Sequence, residues 1–144
     1  MAARISLTLD STDAQVLAAF WKEALGYIDE PPPPPFATRA EWHAQFDLPE
    51  DDLPEHGAWL CDPDGVGPYL SILTVPEPKT AKNRLHIDIR VPGHGNSDEQ
   101  WARIRAEAER LARAGGRVLA EFDQQHVVMA DPEGNEFCVA ASSA

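Results

Sequence analysis

At 144 residues, with 43% hydrophobic and 25% charged side chains, the chain can bury one sizeable core and has the composition of an ordinary globular protein. Its net charge of −12 repels phosphate backbones and anionic lipid, which argues against nucleic acid and membrane surfaces as partners. No run approaches the ~20 apolar residues that span a bilayer, the start lacks the apolar core of a signal peptide, and Cys61 and Cys138 lie far apart, so the chain reads as cytoplasmic with two free thiols.

Residues 4–10 alternate, with Ile5, Leu7 and Leu9 on one side and Arg4, Ser6, Thr8 and Asp10 on the other, the pattern of a half-buried strand. Thr12 and Gln15 have capping-box spacing, and Leu17, Phe20, Trp21 and Ala24 follow at helical spacing before Gly26, so a helix is expected over 13–25. Pro31 to Pro35 favour a stiff polyproline II segment, and Ala37 to Phe46 read as a short helix carrying Trp42 and Phe46. Residues 47–56 read as a loop. Strands are expected at Ala58 to Cys61 and Tyr69 to Val75, joined by the turn Asp62-Pro-Asp-Gly65, and 76–83 as a linker.

The pattern then restarts. Leu85, Ile87, Ile89 and Val91 alternate with Arg84, His86, Asp88 and Arg90. Ser97 and Gln100 repeat the capping-box spacing, and Trp101, Ile104, Ala108 and Leu111 form a helical stripe closed by Gly115-Gly116. Strands are expected at 117–122, 126–130 and Glu136 to Ala140, the last two joined by a second turn, Asp131-Pro-Glu-Gly134. One order of elements thus occurs twice, with extra residues in the first half between helix and turn. Chance is the competing account, since alternation and Asp-Pro-Gly turns are common.

Three stretches resemble one known superfamily: Asp10-Ser-Thr-Asp13 with Leu17-Ala-Ala-Phe20-Trp21 and Ala24-Leu-Gly-Tyr27; Lys82-Asn-Arg-Leu-His86-Ile-Asp88; and Asp131-Pro-Glu-Gly-Asn135-Glu-Phe-Cys138-Val. In this order they resemble the glyoxalase/bleomycin-resistance (vicinal oxygen chelate) superfamily, most nearly its glyoxalase-like domain group. The resemblance implies an α+β fold of two βαβββ modules whose curled mixed sheets form a cup. It implies a single domain over 1–144, with halves at about 1–76 and 83–144 and an inserted Pro-rich segment at about 29–56. It also implies a homodimer that takes a small molecule in its pocket. The activities it brings are lyase, isomerase or dioxygenase-type chemistry, or else non-catalytic sequestration of an antibiotic or metabolite.

Carried over residue by residue, the superfamily's metal positions fall on Ser6, Tyr69, His86 and Cys138. His86 is the one typical ligand among them, and Glu136, on the same strand face as Cys138, is a second candidate. Zinc, nickel, manganese or iron there competes with a cup that needs no cofactor. A ligand would then meet Ser6, Thr8, Tyr69, Arg84, His86, Asp88 and Cys138, with Asp10 and Arg90 alongside. The competing account is a merely solvated sheet face. His86, between Arg84 and Asp88, could serve as a general acid or base or be solvated, and no catalytic residue is assigned.

Trp21 and Trp101 fall on core stripes. Trp42 belongs either to a lid over the cup or to packing at the sheet edge. The proline run is either a docking motif or a rigid spacer.

Overall fold

The computed structural model describes residues 1–50 and 54–142, which form two compact units, Met1–Pro78 and Lys79–Ala144. The first unit contains β1 (Ser6–Ser11), α1 (Ala14–Leu25), β2 (Ile28–Asp29), α2 (Arg39–His43), a 3-10 turn (Pro54–His56), β3 (Gly57–Cys61) and β4 (Tyr69–Thr74). The second contains β5 (Ile89–Val91), α3 (Ser97–Arg113), β6 (Arg117–Phe122), β7 (His126–Ala130) and β8 (Glu136–Ala141). The sheet orders are β1-β4-β3-β2 and β5-β8-β7-β6. In each the first pair is parallel and the others antiparallel, so one mixed topology is built twice. Both sheets are open, as expected of two βαβββ modules within an α+β fold.

Strand alternation decides which face each unit buries. In the first, Ala58, Leu60, Leu70 and Ile72 are buried on the side of α1, against Leu17, Phe20 and Trp21. In the second, Val127, Met129, Phe137, Val139 and Ile89 are buried with Ile104, Ala108 and Leu111 of α3, and Trp101 is half-buried. The opposite face of each sheet carries the intervening residues.

The two predicted caps each shift by one residue. Helix α1 is capped by Asp13, whose carboxylate accepts from the Gln15 and Val16 N–H groups at 3.2 and 3.1 Å. The Asp13 N–H itself goes to the Ser11 hydroxyl at 3.0 Å. The Gln15 amide donates across to the Gly57 carbonyl at 2.9 Å. Helix α3 has its capping box on Asn96 and Glu99, not on Ser97 and Gln100. Gln100 instead reaches the Gly95 carbonyl at 3.2 Å. Gly26 closes α1 with φ of 70°, as its position implied.

The strand expected over 84–91 contracts to Ile89–Val91, and Arg84, Leu85, His86, Ile87 and Asp88 stand outside the sheet. Side chains take the place of a backbone ladder there: Asp88 accepts the Cys138 N–H at 3.0 Å, and Glu136 accepts the Asn83 N–H at 3.0 Å. The proline run does not stay extended either, because Phe36 N–H donates to the Pro33 carbonyl at 3.2 Å and turns the chain. The expected short helix is Arg39–His43, with a capping box on Thr38 and Glu41. Within 47–56, the stretch Pro54–His56 is a 3-10 turn, while 51–53 lie outside the described residues.

Candidate functional site

In the parallel pairing of β1 and β4, Ser6 sits opposite Tyr69, Thr8 opposite Ser71 and Asp10 opposite Leu73. On β3, Trp59 sits opposite Ser71. Ser6, Thr8, Tyr69, Ser71, Trp59 and Cys61 therefore share the sheet face turned away from α1, whose own side is taken by Ala58, Leu60, Leu70 and Ile72. At the Ser6–Tyr69 end this face opens into a cavity of about 530 Å³, which also takes in Arg4, Cys61, Asp62 and the stretch 65–68. The family resemblance named Ser6 and Tyr69 from points sixty-odd residues apart, and the register makes them neighbours.

The wall at 62–68 is held by Asp62. Its carboxylate accepts from the N–H groups of Gly67 at 2.7 Å, Asp64 at 2.9 Å and Val66 at 3.1 Å, and these bonds hold the group below the usual carboxylate range. Tyr27 donates from its hydroxyl to the Pro68 carbonyl at 2.9 Å, and burial pushes its acidity down further than the nearby Asp62 charge does. A Cβ on Gly67 would run into that hydroxyl, which accounts for a glycine where the wall passes the ring. The second unit repeats the device: buried Asp131 accepts from the Glu133 and Asn135 N–H groups at 3.0 and 2.9 Å. Reading Asp62 and Asp131 only as turn residues missed this clamping role. Cys61, too, was passed over, although the alternation of Ala58 and Leu60 with Trp59 and Cys61 already put it on this face.

The remaining residues singled out from the sequence lie in the second unit. Arg84 and His86 are exposed in the irregular stretch before β5. The His86 Nε2 lies 2.9 Å from the Lys82 ammonium and 3.3 Å from the Asn83 carbonyl; where it accepts from Lys82 it cannot also donate to Asn83. Asp88 is spent on the Cys138 N–H, and the Cys138 thiol is pushed up, mainly by burial and then by the Asp88 charge. Glu136 is committed on both oxygens: Oε1 to Lys79 at 3.2 Å and Oε2 to the Asn83 N–H at 3.0 Å. The Asn83 bond, helped by Lys79, lowers Glu136 to about 2. Asn83 is thus the meeting point, its N–H on Glu136 and its carbonyl beside His86. Among the described residues no three or more His, Cys, Asp or Glu side chains gather as a metal-ligand set.

The inserted segment reaches the same face of the first sheet. The Arg39 guanidinium lies 4.6 Å from the centre of the Trp59 ring and 5.3 Å from that of Trp42, and pairs with Glu30 at 3.2 Å. His43 meets Trp59 edge-on at 5.4 Å. Trp42 is linked to Trp59 through Arg39, and its own ring meets His43 at 5.0 Å and Phe46 at 6.0 Å.

The sequence matches the glyoxalase-like domain family model over residues 6–140. The chain belongs to the glyoxalase-like domain family. Solved structures share the fold at low identity. FosX, the fosfomycin resistance protein of Mesorhizobium loti, superposes with a TM-score of 0.66 at 12% identity, covering 99% of this chain and 94% of that one. A mutant FosX from Listeria monocytogenes, complexed with Mn(II) and 1S,2S-dihydroxypropylphosphonic acid, gives 0.63 at 12% identity over 99% and 94%. A glyoxalase-related enzyme from Fulvimarina pelagi gives 0.55 at 17% identity over 98% and 89%. No curated protein sequence matches the chain. Like these proteins, this glyoxalase-like chain is a small α+β fold, and none of its described helices is long and apolar enough to cross a membrane.

Proposed function

We propose that this glyoxalase-like chain binds a small polar molecule on the open face of its first sheet, and that binding needs no resident metal ion. The observation that carries the reading is the Ser6–Tyr69 pair at the mouth of the 530 Å³ cavity, a volume suited to a small ligand. The cavity offers two hydroxyls, the Cys61 thiol and the Arg4 guanidinium. No ion pair among the described residues uses Arg4, which suits a ligand with an anionic group.

The donor chemistry supports the metal-free part. A metal at His86 and Glu136 would have to break the Glu136–Lys79 ion pair and the Asn83 bond, and displace a lysine beside the imidazole. The donors as arranged do not fit a divalent ion. The lyase, isomerase or dioxygenase-type reading depends on an oxyanion held by such an ion, so sequestration of a small molecule is the better-supported role.

The test pairs calorimetry with manganese, zinc, nickel and ferrous iron against a thermal-shift screen of small carboxylates and phosphonates. Metal-independent stabilisation by a hit, weakened about tenfold in Arg4→Gln and in Tyr69→Phe, is the expected result. Stoichiometric metal binding that disappears in His86→Ala would overturn it.

A further inference from the structure

The ligand reading makes no use of the segment inserted between β2 and β3, yet that segment is bonded to the same sheet face. Trp59 points away from α1, with its ring lying over Gly57, where a Cβ would approach the indole to 2.7 Å. Cys61, two residues along the strand, shares this face and lines the cavity. Onto Trp59 come two side chains of α2. Arg39 holds its guanidinium over this ring and that of Trp42, while its Nη2 donates to the Glu30 carbonyl at 3.4 Å and pairs with the Glu30 carboxylate. His43 sets its ring edge-on to Trp59, and its Nδ1 is buried with no hydrogen-bond partner.

We infer that α2 is a cover docked on the ligand face of the first sheet, and that acid releases it through His43. A neutral imidazole forfeits one hydrogen bond at the buried Nδ1. A protonated ring must place an N–H there that has no acceptor, and a second positive charge near Arg39.

Among the described residues, the groups around His43 supply no compensating anion. On its own helix, Glu41 is committed to the Ala37 and Thr38 N–H groups, and Arg39 is a cation. Glu30, following β2, is taken by Arg39. From β3 comes the uncharged Trp59. The Pro54–His56 turn packed against α2 carries Glu55 and His56, and neither bonds Nδ1. Burial first, and Arg39 second, hold the docked His43 below its ordinary value of 6.5. Released, it returns toward that value and takes a proton more readily. Docking is therefore complete well above pH 6.5 and weakens as the pH falls through it.

That the covered face receives a ligand rests on the reading above; the docking itself does not. The experiment uses the whole chain without ligand. The indole N–H resonances of Trp42 and Trp59 are followed by NMR from pH 8 to pH 5 in the native sequence and in His43→Gln. Arg39→Ala, which removes the cation from both rings and from Glu30, supplies the undocked reference. Native resonances that move toward the Arg39→Ala positions with a midpoint below 6.5, in a titration missing from His43→Gln, are the expected result. Indoles that stay put over the range, or that titrate alike in His43→Gln, would overturn the inference. If His43→Gln is already undocked at pH 8, the Cε1 titration of native His43 decides. A midpoint below 6.5 upholds the inference and one at or above 6.5 overturns it. Failure here would leave the ligand site untouched, and failure of the ligand screen would leave the cover standing.

Discussion

Replacing Glu136 with Gln probes why that carboxylate is unavailable for a metal. Its side chain and that of Lys79 are only 19% and 18% exposed, and it accepts two charge-assisted bonds. Glutamine can keep one acceptor, but its amide then faces a donor, either Asn83 N–H or Lys79. Losing a bond to a charged group of this kind costs about 2 kcal/mol. The displacement of the carboxylate from 4.5 to about 2 sets an upper bound of about 3 kcal/mol at neutral pH. A carboxylate lowered in the folded state contributes its stability above the unfolded value of 4.5, and that contribution drains away as the pH falls toward 2. Urea unfolding of the native chain and of Glu136→Gln, at pH 7 and at steps down to pH 3, should therefore show a gap of about 2 kcal/mol that narrows steadily below about pH 4.5. A gap under about 0.5 kcal/mol at pH 7, or one that stays constant with pH, would refute the reasoning.

Two further substitutions test the first unit. Gly57→Ala places a Cβ 2.7 Å from the Trp59 indole and must push the ring off its place, at about 1–3 kcal/mol of stability, with loss of the ring-current shifts on Arg39 that Trp59 produces. Unchanged urea midpoint and Arg39 shifts would show that the ring has room. Asp13→Ala removes the acceptor for two α1 N–H groups and should cost about 1 kcal/mol in urea unfolding; an unchanged midpoint would show that Asp13 does not cap the helix.

How much of this was legible in the sequence follows from the range of each interaction. The two long helices, the two Asp-Pro-acid-Gly turns and most of the buried strand faces obey local periodicity and backbone chemistry and appear where expected, whereas Ile5 and Leu85, which alternation put on apolar faces, are exposed outside the strands. The caps slipped by one residue because Asp13 and Asn96, each next to the expected cap, are equally able to accept first-turn N–H groups, and spacing alone cannot rank neighbouring cap residues. The stretch 84–88 has the alternation of a strand, but Glu136 and Asp88 reach across to backbone N–H groups 50 or more residues away, and periodicity does not see such bonds. For the same reason Glu136 looked like a free carboxylate, since its partners Lys79 and Asn83 lay in what read as a linker. The Ser6–Tyr69 juxtaposition came from the family resemblance and gained its geometry only from the parallel register. Arg39 was overlooked because a cation on two rings leaves no local signature.

Whether the Ser6–Tyr69 face holds the ligand is read by amide chemical-shift mapping of the strongest hit from the metal-free screen. The largest shifts are expected at Ser6, Cys61, Gly67 and Tyr69, with His86 and Cys138 little changed. Shifts centred on His86, Glu136 and Cys138, and appearing only when a divalent metal is added, would contradict a ligand on the Ser6–Tyr69 face.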